Sequence, residues 1–141
     1  MAARDLMAQF WVRLSTEFEH KDVLNFGTPD NASALVASAG LGTSWAIHHR
    51  AKHIRVGVIT RNIKSRDPDE VIFKVIDQQS SIEEKTGKKL IIDLPRPGSP
   101  SGRAYVKITS FDAENDSTWD ATIKEALDAM RVFVQVMGTE I

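Results

Sequence analysis

His48, His49 and His53 fall inside a stretch that also holds Arg50, Lys52, Arg55, Arg61, Lys64 and Arg66 and contains no acid. Side chains of these types can ligate a metal, move a proton or neutralise an anion, and their spacing decides among the three. Neighbouring residues of a strand point to opposite faces, so only one of His48 and His49 can join His53 across a turn. No carboxylate lies nearby in sequence to complete a ligand set, and no metal site is expected. For proton transfer or nucleophilic attack, His48 or His49 would need Ser44 or Asp93, but no spacing brings a serine, a histidine and an acid together. The chemistry left is electrostatic, because Lys and Arg gain from neutralising phosphates and releasing counterions. Arg50, Lys52, Arg55, Arg61 and Lys64 are the expected contact residues, with Tyr105 and Lys107 at their margin. Tyr105 is the one evident stacking residue, whereas sheet-type readers of single strands present two or three aromatics. Recognition is therefore expected to be mainly electrostatic.

Two further patterns invite chemistry and do not support it. Pro68-Asp69 followed by Glu83-Glu84-Lys85 matches in form the proline-aspartate and acid-x-lysine spacing of restriction nucleases. That chemistry needs two carboxylates converging on Mg2+ beside a lysine, and both halves here fall on one expected helix, about 20 Å apart at roughly 1.5 Å per residue. Gly40 and Gly42 permit close approach to a phosphate, yet neither a Gly-x-Gly-x-x-Gly run nor a Gly-Lys-Ser/Thr ending is present, and a strand is expected to follow. A tight turn is the better reading, with a small-ligand pocket near Gly40 to Gly42 as an alternative. No catalytic residue and no cofactor is assigned.

The positive stretch is local. The whole chain of 141 residues carries 18 Lys and Arg against 19 Asp and Glu, a formal net charge of -1, so attraction for nucleic acid must come from a patch. From Asp112 to Asp128, six acids (Asp112, Glu114, Asp116, Asp120, Glu125, Asp128) stand against Lys124 alone, and this acidic end facing a basic middle could also drive self-association. With 42% apolar and 26% charged residues, the length suits a single globular domain over residues 1–141. The absence of cysteine removes disulfides, thiolate nucleophiles and cysteine metal sites, and fits a reducing compartment. No signal-like segment and no apolar run near the roughly 20 residues of a membrane span is evident. The expectation is a soluble, cytoplasmic protein.

The elements that must position the basic residues follow from periodicity. Leu6, Met7, Phe10, Trp11, Leu14 and Phe18 recur at helical steps and predict a first helix over 3–20 with a core-facing aromatic stripe. Small side chains over 33–39 predict a strand, turned by Gly40-Leu41-Gly42 into a hairpin of strands over 43–50 and 53–60. One hairpin face takes Trp45, Ile47, Ile54, Val56 and Val58; the other takes Ser44, Ala46, His48, Arg50, Arg55, Gly57, Ile59 and Arg61. Asp67, Pro68 and Glu70 resemble a capping box for a single helix ending before Gly87. Strands follow over 90–94 and 103–110, the second with Val106 and Ile108 inward and Tyr105, Lys107 and Thr109 outward. Ser117, with Asp120 completing its box, is expected to cap a last helix from Trp119 to Gly138. Val132 and Val136 lie off its main stripe and mark a candidate dimer interface. The fold class predicted is α+β: an antiparallel sheet of about five strands with three helices, in the order α-β-β-β-α-β-β-α.

Phe10-Trp11, the small-residue strand ending at Gly40, the basic hairpin, Ile82-Glu83-x-x-x-Gly87-x-x-Leu90 running into Leu94-Pro95, and Trp119 together carry a resemblance. The chain resembles a domain family of unknown function often found at the C-terminus of bacterial and archaeal restriction-endonuclease-like proteins. The resemblance spans nearly the whole sequence. In that family the nuclease chemistry is assigned to a preceding domain that this sequence lacks, so the resemblance implies an accessory module.

The sequence thus predicts a small non-enzymatic binding module of prokaryotic type that contacts DNA or RNA through a basic hairpin face. The alternative is a protein interaction or homodimeric assembly domain that regulates a nuclease or other defence component.

Overall fold

The computed structural model describes residues 3–21, 23, 24, 26, 34–40, 42–50, 52–61, 68–94, 101–138 and 141. Helix α1 (Ala3–His20) buries Met7, Phe10, Trp11, Leu14 and Phe18 along one stripe, as its periodicity requires. Strands β1 (Ala34–Ser38), β2 (Thr43–His49) and β3 (Ile54–Thr60) then form an antiparallel meander. After helices α2 (Pro68–Asp77) and α3 (Gln79–Thr86), strands β4 (Ile91–Asp93) and β5 (Gly102–Ile108) complete a five-stranded sheet of order β1-β2-β3-β5-β4. All neighbouring strands are antiparallel. A 3-10 turn over Asp116–Thr118 leads into α4 (Trp119–Met137). The α+β class and the strand order along the chain agree with the sequence reading.

The inner face of the sheet carries Trp45, Ile47, Ile54, Val56, Val58, Val106 and Ile108, none more than 1% exposed. They form one core with the helices, through Phe10, Trp11, Ile72, Val75, Ile82, Met130 and Phe133 among others. Rings interlock between elements: Phe10 lies 4.7 Å from Phe111 and 5.5 Å from Trp119, and Trp45 lies 6.3 Å from Phe133. In the β2–β3 register Trp45 stands opposite Val58 and Ile47 opposite Val56, so alternation alone assigned the faces of this hairpin correctly.

The structure differs from expectation at two places. The single helix expected between Pro68 and Gly87 is two helices, broken at Gln78, whose φ of -104° and ψ of 9° leave the helical range. Gln78 heads the run Gln78-Gln79-Ser80-Ser81, whose serines have lower helix propensity than the residues before them. The bend lets Ile82 reach the same core as Ile72 and Val75. The expected cap at Asp67 lies outside the described residues. At α4, Ser117 does not cap the helix: the Asn115 side chain accepts the Ser117 backbone N–H at the head of the 3-10 turn, and Asp120 pairs with Arg13 of α1 instead of closing a box.

Two backbone features fix the sheet locally. Gly40 and Gly42 adopt φ of 119° and 68°, a region open to glycine, while the Thr43 N–H donates to the Gly40 carbonyl and the Arg61 N–H to the Gly42 carbonyl. The segment is a hairpin turn with no helix N-terminus behind it, so the phosphate-loop pattern has no structural counterpart. At Gly57, a Cβ would fall 2.0 Å from the Ala104 carbonyl oxygen and 2.7 Å from the Tyr105 Cα; only glycine admits β5 at this distance. Among the described residues no helix is long and apolar enough to cross a membrane.

Candidate nucleic-acid interface

The second face of the sheet is ordered in rows by strand register. One row runs Ala34, His48, Arg55, Lys107; the next Val36, Ala46, Gly57, Tyr105, Ile91; the third Ser38, Ser44, Ile59, Arg103, Asp93. Adjacent strands lie about 4.8 Å apart, which sets Arg55 and Lys107 side by side although like charges directly opposed destabilise a sheet. The Arg55 guanidinium lies over the Tyr105 ring, 4.6 Å from its centroid, a cation–π contact that partly offsets this repulsion. Among the described residues, Arg50, Arg55, Arg61, Arg103 and Lys107 form no ion pair with a carboxylate, Asp93 in register with Arg103 included. The charge of these residues is therefore not matched by a described carboxylate.

His48 sits inside this field. Its burial, then the charges of Arg103, Arg50 and Arg55, lower its pKa from 6.5 to about 4, and it is neutral at pH 7. His49 points to the inner face, edge-on to Phe111 at 6.0 Å, with its Nδ1 buried and unpartnered. Burial and Arg50 depress its pKa as well. For His53 burial, then Lys107, Arg55, Arg50 and His49, act in the same direction. Opposite orientations of His48 and His49 follow from strand alternation, and among the described residues no group of three metal-ligating side chains forms.

The residues singled out in the sequence are distributed over three places. Arg55, Lys107 and Tyr105 meet at the centre of the face. Tyr105, however, is 7% exposed beneath Arg55, so the outer layer offered to a ligand is guanidinium and not phenol. Arg50 and Lys52 lie at the β2–β3 turn, closed by the Arg50 N–H donating to the His53 carbonyl at 2.9 Å. There Arg50 Nη1 bonds the His49 carbonyl and Lys52 pairs with Asp112 at 3.2 Å, so the charge of Lys52 is matched within the fold. Arg61 is at the opposite end of β3, exposed. Lys64 lies outside the described residues. Val132 and Val136 are half-buried on α4: Val136 packs against the core, and Val132 lines a groove with Lys85, Thr86 and Lys88. Glu83, one of the acids of the nuclease-like spacing, accepts the Leu90 backbone N–H at 2.9 Å and serves the approach to β4.

Arg103 was not singled out. The signal was present, since Arg103, Tyr105 and Lys107 alternate and must share a face. Gly57 also had a legible sign: an isolated glycine within a strand marks a close backbone approach.

Neither a family model nor a curated protein sequence matches the chain. Among solved structures, it is similar to YbjN from E. coli, a suggested transcription regulator, with 11% identity, a TM-score of 0.38, and coverage of 85% of this chain and 87% of that one. The similarity is too loose to bear on function.

Proposed function

We propose that this chain is a small binding module that contacts nucleic acid through the outer face of its sheet. The observation that carries the reading is that Arg55, Arg103 and Lys107 gather on two adjacent strands with no described carboxylate paired to them. A polyanion relieves the repulsion and gains from counterion release. With Tyr105 covered, the contact is to the phosphate backbone and independent of sequence.

A salt-series titration with labelled duplex and single-stranded DNA and RNA tests this. Binding that weakens steeply with salt and is lost in the Arg55→Glu, Arg103→Glu double variant supports the reading, and no binding at low salt refutes it.

A second reading, a protein interaction or assembly domain, is favoured by a groove of about 640 Å3 between α1 and α4. Val12, 54% exposed, stands beside Ile123 and Leu127 there, and Arg13, Lys21, Asp120 and Asp128 line the same groove. Light scattering on the same sample reports self-association directly, and a purely monomeric protein would remove the homodimer form of this reading.

A further inference from the structure

The two edges of the sheet are finished differently. Strand β4 has three residues, ends in Asp93 and is flanked in sequence by Lys88, Lys89 and Pro95, features that discourage pairing with another chain. Strand β1 has none of them. It runs Ala34-Leu35-Val36-Ala37-Ser38 in continuous register with β2, without proline, bulge or charge, and from Asn31 to His49 the sequence holds no Lys, Arg, Asp or Glu. The Ala39 N–H donates to the Thr43 carbonyl, so by antiparallel alternation Leu35 and Ala37 turn their backbone groups toward β2, and Ala34, Val36 and Ser38 turn theirs to the open side. Among the described residues no backbone hydrogen bond reaches those three from that side. The Ala39 carbonyl accepts the Ile141 N–H at 2.7 Å, so the open run stops at Ser38. Val36, in its middle, is 49% exposed.

We propose that β1 pairs with β1 of a second copy, antiparallel about a two-fold axis at Val36. The outward residues are symmetric about that position: Val36 meets Val36, and Ala34 meets Ser38, in both directions. Every outward N–H and C=O then finds a partner, about six hydrogen bonds in all. With no Lys, Arg, Asp or Glu on β1 or β2, no like charges are opposed between copies, whereas a charged extended peptide would find no counter-charge. Five residues a side fall short of the standard interface of about 1,600 Å2, so the dimer should be weak, with a Kd on the order of 10 to 100 μM. Opposed residues of a ladder share a face, so one sheet continues through both copies and their outer faces, each with Arg55, Arg103 and Lys107, lie on the same side.

The chain has no cysteine, so a single introduced thiol reports the register. Opposed residues of a hydrogen-bonded antiparallel pair have Cα atoms about 5.5 Å apart, within disulfide reach. Under mild oxidation Val36→Cys should give a disulfide-linked dimer, and Ser38→Cys should not, because its own counterpart lies roughly 13 Å away along the strand. Sedimentation velocity on the full chain up to a few hundred micromolar should show a monomer–dimer equilibrium, and Val36→Lys should raise its Kd at least about fivefold. Val36→Pro should do the same with the fold intact by circular dichroism, since the Val36 N–H faces away from β2. A chain that stays monomeric throughout overturns the proposal, and so does equal cross-linking of the two cysteine variants. A dimer that survives Val36→Lys but is lost in Val12→Lys lies at the groove between α1 and α4 and also overturns edge pairing. Nucleic-acid binding is read separately by the salt titration and stands or falls without β1.

Discussion

Arg55 faces a like charge across the ladder and a ring beneath it, whereas Lys52 already has Asp112 as its partner. The two cations should therefore respond differently to neutralisation. Arg55→Gln is expected to weaken nucleic-acid binding by about tenfold and to flatten the salt dependence by about one phosphate contact, while Lys52→Gln should change affinity only about twofold, the scale of an exposed, screened charge. Fluorescence anisotropy at several salt concentrations separates them. His48 supplies a second test at this scale. In the unfolded chain it takes a proton as pH falls through 6.5; in the fold it does so only near 4. Between those values the unfolded state binds more protons, so stability is full above pH 6.5 and declines as pH is lowered toward 4. His49 and His53 are depressed too, so His48→Gln should flatten, without abolishing, this part of a urea-midpoint against pH curve.

Among the elements, β3 and β5 approach most closely at Gly57, where the Ala104 carbonyl takes the space of a side chain. Gly57→Ala should cost several kcal/mol, at the upper end of single substitutions, or prevent folding. Gly87→Ala is the control: its φ of +68° strains a side chain, yet nothing lies within 4 Å, so the cost should be nearer 1 kcal/mol. Chemical denaturation of the two variants compares them. The same elements show what was legible in the sequence. The hairpin faces were readable because alternation is a local rule and both of its faces differ in polarity. The inner position of α1 was readable because six apolar residues share one helical stripe. The break at Gln78 was not, since Val71, Ile72, Val75, Ile76 and Ile82 keep an apolar face across it and the bend answers to the core beyond the helix. Nor was the partner of Lys52, because Asp112 is 60 residues away. The outer face was half-read: Arg55, Tyr105 and Lys107 were placed, but the burial of Tyr105 under Arg55 depends on pairing between β3 and β5, which no local pattern specifies.

At the level of the whole molecule, a near-neutral chain gathers Arg55, Arg103 and Lys107 on one face of its sheet. If the three cations side by side on β3 and β5, Arg55, Arg103 and Lys107, each meet a phosphate, the logarithm of the binding constant should fall against the logarithm of salt with a slope of about -2.7 for duplex DNA and about -2 for single strands. A slope near zero would indicate that these cations do not contact phosphate. The sheet order carries a kinetic consequence for this face. The β1–β2–β3 meander closes through short connections, but β5 must find β3 across α2, α3 and β4, pairing Ile54 with Ile108. Such distant pairing comes late, after its loop-closure entropy has been met. On that order Arg103, Tyr105 and Lys107 are expected to join His48 and Arg55 only at that step. A nucleic acid seated across β3 and β5, as proposed, would clamp this strand pairing, and in stopped-flow experiments it should slow unfolding while leaving the folding rate unchanged.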